Sequence, residues 1–266
     1  MSPVRVRSGL VIARAAGLVV AGAAAAHADT ISITSDGAAY GYDTIHLNDS
    51  AFNFPNGSNS VWVYSGADQI SGQDLTTSKA FNEVVFCTDV NNFLVGTPYS
   101  FSQGTLSDTV SSVAKVSQIS ALISNGTQLL SSGNYTIGSH TYSATEVSSA
   151  LQIAVWTAEY QTGTTSYNPT NSAAQFWVSG PSDNADVSLA QVFLNDATGG
   201  TWLPSPNLVQ LEALNPTNNQ DLTYYFQGSG TTGNPGLPVP EPISLSLLGI
   251  GLAGIGATRL RRRKAG

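Results

Sequence analysis

The chain has 266 residues, 41% of them hydrophobic and only 10% charged, with a formal net charge of −7. Its basic residues crowd the two ends: Arg5, Arg7 and Arg14 at one, Arg259, Arg261, Arg262, Arg263 and Lys264 at the other. The body from Asp29 to Pro242 therefore sets two lysines, Lys79 and Lys115, against all 17 acidic residues, a formal charge of −15 that excludes nucleic acid and anionic membrane surfaces as partners.

In chain order, the first arginines precede or interrupt a small apolar run over 15–26, which leads into Ala26-His27-Ala28. A basic start, an apolar middle and small residues before the cut predict a secretory signal peptide over residues 1–28, cleaved after Ala28. The body that follows is about 200 residues, enough for one domain with a proper core or two small lobes. From 30 to 99 it shows short strand-like runs at 31–34, 60–64, 83–88 and 99–101, separated by turn residues such as Asn56-Gly57 and Ser65-Gly66.

The middle of the body reads as helix. Val110, Val113, Ile119, Leu122 and Ile123 recur at helical spacing over 107–124, and Asn125-Gly126 is expected to stop that helix. Ser143-Ala-Thr-Glu146 is a capping box, with Tyr142 and Val147 placed as a hydrophobic staple, so a second helix is expected to run to about Gln161. A third is expected over 182–195, and strand returns at 208–214 and 221–226. The expected fold class is α+β: a β-rich barrel or sandwich lobe with an inserted helical lobe over residues 29–227.

Residues 228–238, rich in Gly, Ser and Thr, read as a flexible linker. Pro240-Glu241-Pro242 follows, then an apolar stretch over 243–258 and the basic end. Those sixteen residues rise about 24 Å as a helix, short of a hydrocarbon core of about 30 Å. Extension to Leu260, with the arginines snorkelling, gives a transmembrane helix over 243–260 that leaves the basic cluster cytoplasmic. Motif, short helix and basic Arg261, Arg262 and Arg263 together resemble the PEP-CTERM sorting signal of Gram-negative bacteria, here residues 239–266. The resemblance implies export through the inner membrane, transient retention there by the helix, exosortase processing and delivery to the cell surface or extracellular matrix.

Cys87 is the only cysteine, so no internal disulfide can form. It is a partner-seeking thiol, a buried passenger, or half of another covalent bond. Gln152 lies one residue, about 100° of rotation, from Leu151, which places it at the edge of the second helix's buried stripe with Ser148 and Trp156 one turn away on either side. A strand carrying Cys87 against that strip brings sulfur to the amide carbon. Attack with loss of ammonia makes a thioester, and Phe86 and Trp156 are the aromatic residues available to shield it from water.

Phe86-Cys87-Thr88-Asp89 followed by Leu151-Gln152-Ile153-Ala154-Val155-Trp156 is similar to the paired motifs of the Cys–Gln thioester domains of bacterial surface adhesins. Leu151 stands where that family usually has Thr, and Val155 where it has Ile. The resemblance spans about Asp29 to Gln227. It implies a Cys87–Gln152 thioester that a target amine, typically a lysine, opens to leave Gln152 in an amide and Cys87 as a free thiol.

Other chemistry is thin. His46 and His140 show no metal-ligand spacing, Asp36, Asp43 and Asp49 lack a calcium-loop pattern, and no hydrolase or phosphate-loop motif occurs. No metal or cofactor is expected, nor a turnover enzyme. Two functions follow: a covalent adhesin that reacts once, and a non-covalent structural biofilm-matrix protein with an unreactive Cys87.

Overall fold

Alternating isoleucines begin the first strand. β1 (Thr30–Ala38) buries Ile31 and Ile33 completely while its serines turn outward. The computed structural model describes residues 29–226 apart from 52–53, 55–56, 91, 93–97, 180–183 and 216–218. The expected signal peptide (1–28, ending at Ala28), the linker (228–238) and the sorting segment (239–266, with Pro240, Glu241, Pro242, Arg261, Arg262, Arg263 and the helix over 243–260) lie outside these residues. Among the described residues no helix is long and apolar enough to cross a membrane.

β1 pairs with β4 (Asp68–Asp74), β4 with β5 (Ala80–Cys87), β5 with β11 (Leu222–Tyr225), β11 with β10 (Leu208–Ala213), β10 with β6 (Tyr99–Gly104), and β6 again with β1. The result is a closed, wholly antiparallel six-stranded barrel. Register puts Ile31 opposite Phe101, Val85 opposite Tyr224 and Leu211 opposite Leu222, so large buried side chains share the inner face. Gly72 faces the irregular step in β1 between Ile33 and Ser35. A Cβ there would stand 1.9 Å from the Ser32 carbonyl oxygen, so only glycine lets the strands approach.

A second sheet has the order β3 (Ser60–Ser65), β2 (Asp43–Asp49), β9 (Phe176–Ser179). Between β6 and β10 the chain inserts α1 (Leu106–Thr109), α2 (Val113–Ser132), the small hairpin β7 (Thr136–Ile137) and β8 (His140–Thr141), α3 (Ala144–Tyr160), β9 and α4 (Asn184–Gly199). The expected combination of a β-rich barrel and helices is thus observed. Strands β2, β4, β7, β8 and β9 are additional to the sequence expectation. β4 reads Asp-Gln-Ile-Ser-Gly-Gln-Asp, with one large apolar residue, so no hydrophobic alternation announces it.

The helix expected over 107–124 is divided. Thr105 and Asp108 form a capping box on α1, the chain extends at Val110, and α2 starts only at Val113, whose side chain is 85% exposed. Nor does Asn125-Gly126 stop it: α2 runs on to Ser132 and ends at left-handed Gly133. Packing overrides propensity here, because a Cβ on Gly126 would lie 2.6 Å from Leu151 Cδ2, and glycine permits α2 and α3 to touch.

α3 is the central element. Ser143 Oγ accepts from the Glu146 amide (3.1 Å), and Glu146 accepts from the Ser143 amide (2.6 Å), so the expected capping box is present. At the other end the Lys115 ammonium donates to the Glu159 and Gln161 carbonyls, satisfying orphan acceptors of the last turn. Every residue from Val147 to Ala158 is buried. Gln152 is therefore enclosed rather than at a polar edge.

Candidate functional site

β4 begins at Asp68, which pairs with Val85, so β5 runs two residues past its partner on that side. The preceding backbone turns to α3 instead: the Ala67 amide donates to Ser148 Oγ (2.8 Å), and Ser65 Oγ donates to the Ser149 carbonyl (3.0 Å). Gln152 occupies the place the missing strand leaves. Its Oε1 accepts from the Cys87 amide at 3.0 Å, and its Nε2 donates to the Cys87 carbonyl at 2.8 Å. The carboxamide thus acts as one more rung of the ladder, while Leu222 pairs with Cys87 on the other flank.

Two hydrogen bonds in opposite senses fix the carboxamide's orientation against residue 87. The Cys87 amide also polarises the Gln152 carbonyl, the arrangement by which a backbone N–H stabilises negative charge developing on an acyl oxygen. Position 151 contributes otherwise: Leu151 is wholly buried and packs on Gly126.

The Cys87 thiol is 6% exposed and donates to Gln220 Oε1 at 2.8 Å, with Asp68 Oδ2 at 4.0 Å. Burial first, then the charges of Asp68 and Asp89, push this thiol well above the usual cysteine range, so at neutral pH it holds its proton. The Tyr42 hydroxyl donates to Asp68 Oδ1. Burial raises the Asp68 carboxyl to about 6 and Asp36 adds to this, against the lowering effect of the Tyr42 bond.

Thiol, Asp68 and Gln220 open into a cavity of about 430 Å³ walled by Trp156, Tyr42 and Trp62. Trp62 and Tyr64 stand exposed at its rim, Tyr64 stacked on Tyr42 at 5.7 Å. Trp156 is 2% exposed, and its indole N–H has no acceptor among the described residues. Phe86 is placed differently from the expectation of a shield. It is wholly buried, but strand alternation sends its side chain to the face of β5 opposite Cys87, and it does not line the cavity. The same opposite face carries a buried polar cluster of Thr88, Gln210 and Thr223.

The structure thus brings together Cys87, Gln152 and Trp156, which the sequence singled out, and adds Asp68, Gln220 and Tyr42, which it did not. Asp68 opens a strand without hydrophobic alternation, and Gln220 closes a polar loop, so neither carried a local signal. His46 stacks on Trp62 and contacts Ser179, while His140 packs on Tyr142. Among the described residues no three His, Cys, Asp or Glu side chains stand together as a metal site.

Residues 238–263 match the PEP-CTERM protein-sorting motif. The chain therefore carries a bacterial export and cell-surface sorting signal, and exosortase processing goes with it. No curated protein matches the chain. Among solved structures it is similar to the N-terminal thioester domain of the fibronectin-binding protein SfbI from Streptococcus pyogenes: 13% identity, 70% of this chain and 94% of that one, TM-score 0.39. It is also similar to the N-terminal thioester domain of a surface protein from Clostridium perfringens: 12% identity, 68% and 98% of the two chains, TM-score 0.35. At such identity and TM-score neither protein's chemistry transfers to this chain.

Proposed function

We propose that residues 29–227 form a thioester domain of a surface protein, in which Cys87 Sγ bonds to the Gln152 side-chain carbonyl carbon and then captures one target amine. Residues 1–28 are its signal peptide and 228–238 its linker. Residues 239–266 form a sorting segment whose helix at 243–260 holds the chain transiently in the inner membrane of a Gram-negative cell until exosortase acts.

The observation that carries this reading is the carboxamide of Gln152 held by both polar atoms on the peptide of the only cysteine. Sulfur adds to the carbonyl carbon, negative charge develops on Oε1 beside the Cys87 amide, and the Nε2 nitrogen leaves as ammonia. An incoming amine on a surface or matrix component reverses the attack: Gln152 ends in an amide and Cys87 regains a thiol. Nothing regenerates the bond, so the domain acts once and no cofactor takes part. Of the body's two lysines, Lys115 is engaged by backbone carbonyls of α3 and is not presented as an internal target.

Incubation of the purified exported chain with methylamine tests this. The expected result is one methylamine at Gln152, mapped by fragmentation, and one newly titratable thiol, both abolished by Cys87→Ala. A second reading, a non-covalent biofilm or matrix protein with inert Cys87, draws on the protonated thiol and on a carboxamide already hydrogen-bonded through both polar atoms. It predicts no capture and a thiol that titrates on unfolding whether or not methylamine was added.

A further inference from the structure

Formation of the proposed bond needs a group that takes the thiol proton, because a neutral thiol is a poor nucleophile. Gln220, the nearest acceptor of that proton at 2.8 Å, is a neutral amide and cannot keep it. Asp68 can: its Oδ2 lies 4.0 Å from the same sulfur, and rotation about Cβ–Sγ redirects the S–H from one oxygen to the other without moving a heavy atom. The Asp68 carboxylate faces the cavity, is 8% exposed, and is held from the far side by the Tyr42 hydroxyl on its other oxygen, so its orientation is fixed.

Resting on the thioester reading above, we propose that Asp68 is the general base and acid of the site. It takes the proton from Cys87 as the bond to Gln152 closes and delivers it to the departing nitrogen. The balance is complete within these groups. The S–H bond breaks and its proton moves to Asp68 Oδ2, while the sulfur electron pair forms the S–C bond. The carbonyl pair moves to Oε1. As it returns, the C–N bond breaks, and the nitrogen takes the Asp68 proton to leave as ammonia. In amine capture the same carboxylate accepts the attacking amine's proton and passes it to the leaving sulfur.

Four titratable groups surround Asp68: Tyr42 from the segment before β2, Asp36 from β1, Tyr99 from β6, whose hydroxyl donates to Asp36 at 3.3 Å, and Cys87 from β5. Among its described residues the β10–β11 loop contributes the neutral Gln220 to the sulfur. With its carboxyl at about 6, Asp68 is ionised at neutral pH yet basic enough to hold a proton briefly, which suits acid–base catalysis.

The test follows closure during refolding. Full-length chain is opened in denaturant with concentrated ammonia, which returns Gln152 to its carboxamide and Cys87 to its thiol, then desalted and refolded at pH values from 4.5 to 8, and the ammonia-loss species is timed by intact mass. Wild-type closure is expected to slow roughly tenfold per pH unit below about 6, as the base is protonated. Asp68→Asn is expected to close at least about 100-fold more slowly and to lose that break, and Asp68→Glu to restore part of the rate with a break of its own. Should Asp68→Asn fail to refold, the wild-type and Asp68→Glu profiles decide. An Asp68→Asn chain that closes at the wild-type rate, or wild-type closure flat from pH 4.5 to 8, overturns the role of Asp68 while leaving the thioester standing. A wild-type chain that never loses ammonia removes both.

Discussion

Removing the Gln152 carboxamide tests the most unusual contact in this fold. The comparison is best made in a Cys87→Ala background, where no covalent bond can form but the backbone at position 87 keeps its N–H and C=O. Both groups are satisfied on the α3 side by Gln152, at 3.0 and 2.8 Å, and lie where no water reaches, the Gln152 side chain being wholly buried. Leaving a buried donor and a buried acceptor unpaired costs about 1–3 kcal/mol each, so Cys87→Ala/Gln152→Ala should be about 2–6 kcal/mol less stable than Cys87→Ala. For a domain of this size that is a fall in Tm of roughly 4–24 °C. Urea denaturation followed by tryptophan fluorescence measures it. If the two chains unfold within about 0.5 kcal/mol of each other, the carboxamide is not serving as a ladder rung and the site as described is wrong.

Other consequences are as direct. Asp68→Asn should stabilise the fold: its carboxyl, raised from 3.8 to about 6, binds its proton more tightly folded than unfolded, so ionisation destabilises by about 3 kcal/mol. The advantage of the amide should grow as pH rises from about 4 to 6 and stay flat above; an advantage that shrinks over that window would contradict the burial of Asp68. Gly126→Ala brings a methyl within 2.6 Å of Leu151 and should cost about 1–3 kcal/mol despite alanine's better helix propensity, most of it recovered when Leu151 is also cut to Val. Ser143→Ala removes the capping box of α3 and should cost about 1 kcal/mol by denaturant midpoint. Replacing Pro240, Glu241 and Pro242 by alanine should leave the chain in the inner-membrane fraction instead of at the surface, as cell fractionation would show.

Much of this architecture was legible in sequence where local and tertiary preferences agree. Ser143 to Glu146 announced the start of α3, and short strand-like runs announced β1, β5 and β10. It was illegible where packing overrules composition. Asn125-Gly126 has the composition of a helix end but is a crossing point, because the space it leaves is filled by Leu151 from another helix. β4 is polar along most of its length and earns its place from partners on both sides. At the site, Cys87, Gln152 and Trp156 could be picked out from spacing and neighbours. Asp68 reaches the sulfur across the β4–β5 pair, Tyr42 only by way of Asp68, and Gln220 through the β10–β11 turn, contacts 19 to 133 residues apart that leave no short pattern. Phe86, adjacent to Cys87 in sequence, is turned away from it by the pleat of the strand.

The central claim concerns one bond between Cys87 and Gln152, and intact mass of the folded, exported chain addresses it without any probe. Closure with loss of ammonia predicts a mass about 17 Da below that calculated for the same processed chain, the deficit vanishing in Cys87→Ala and in Gln152→Ala. A wild-type chain at full mass, with its thiol open to alkylation on unfolding, would contradict it.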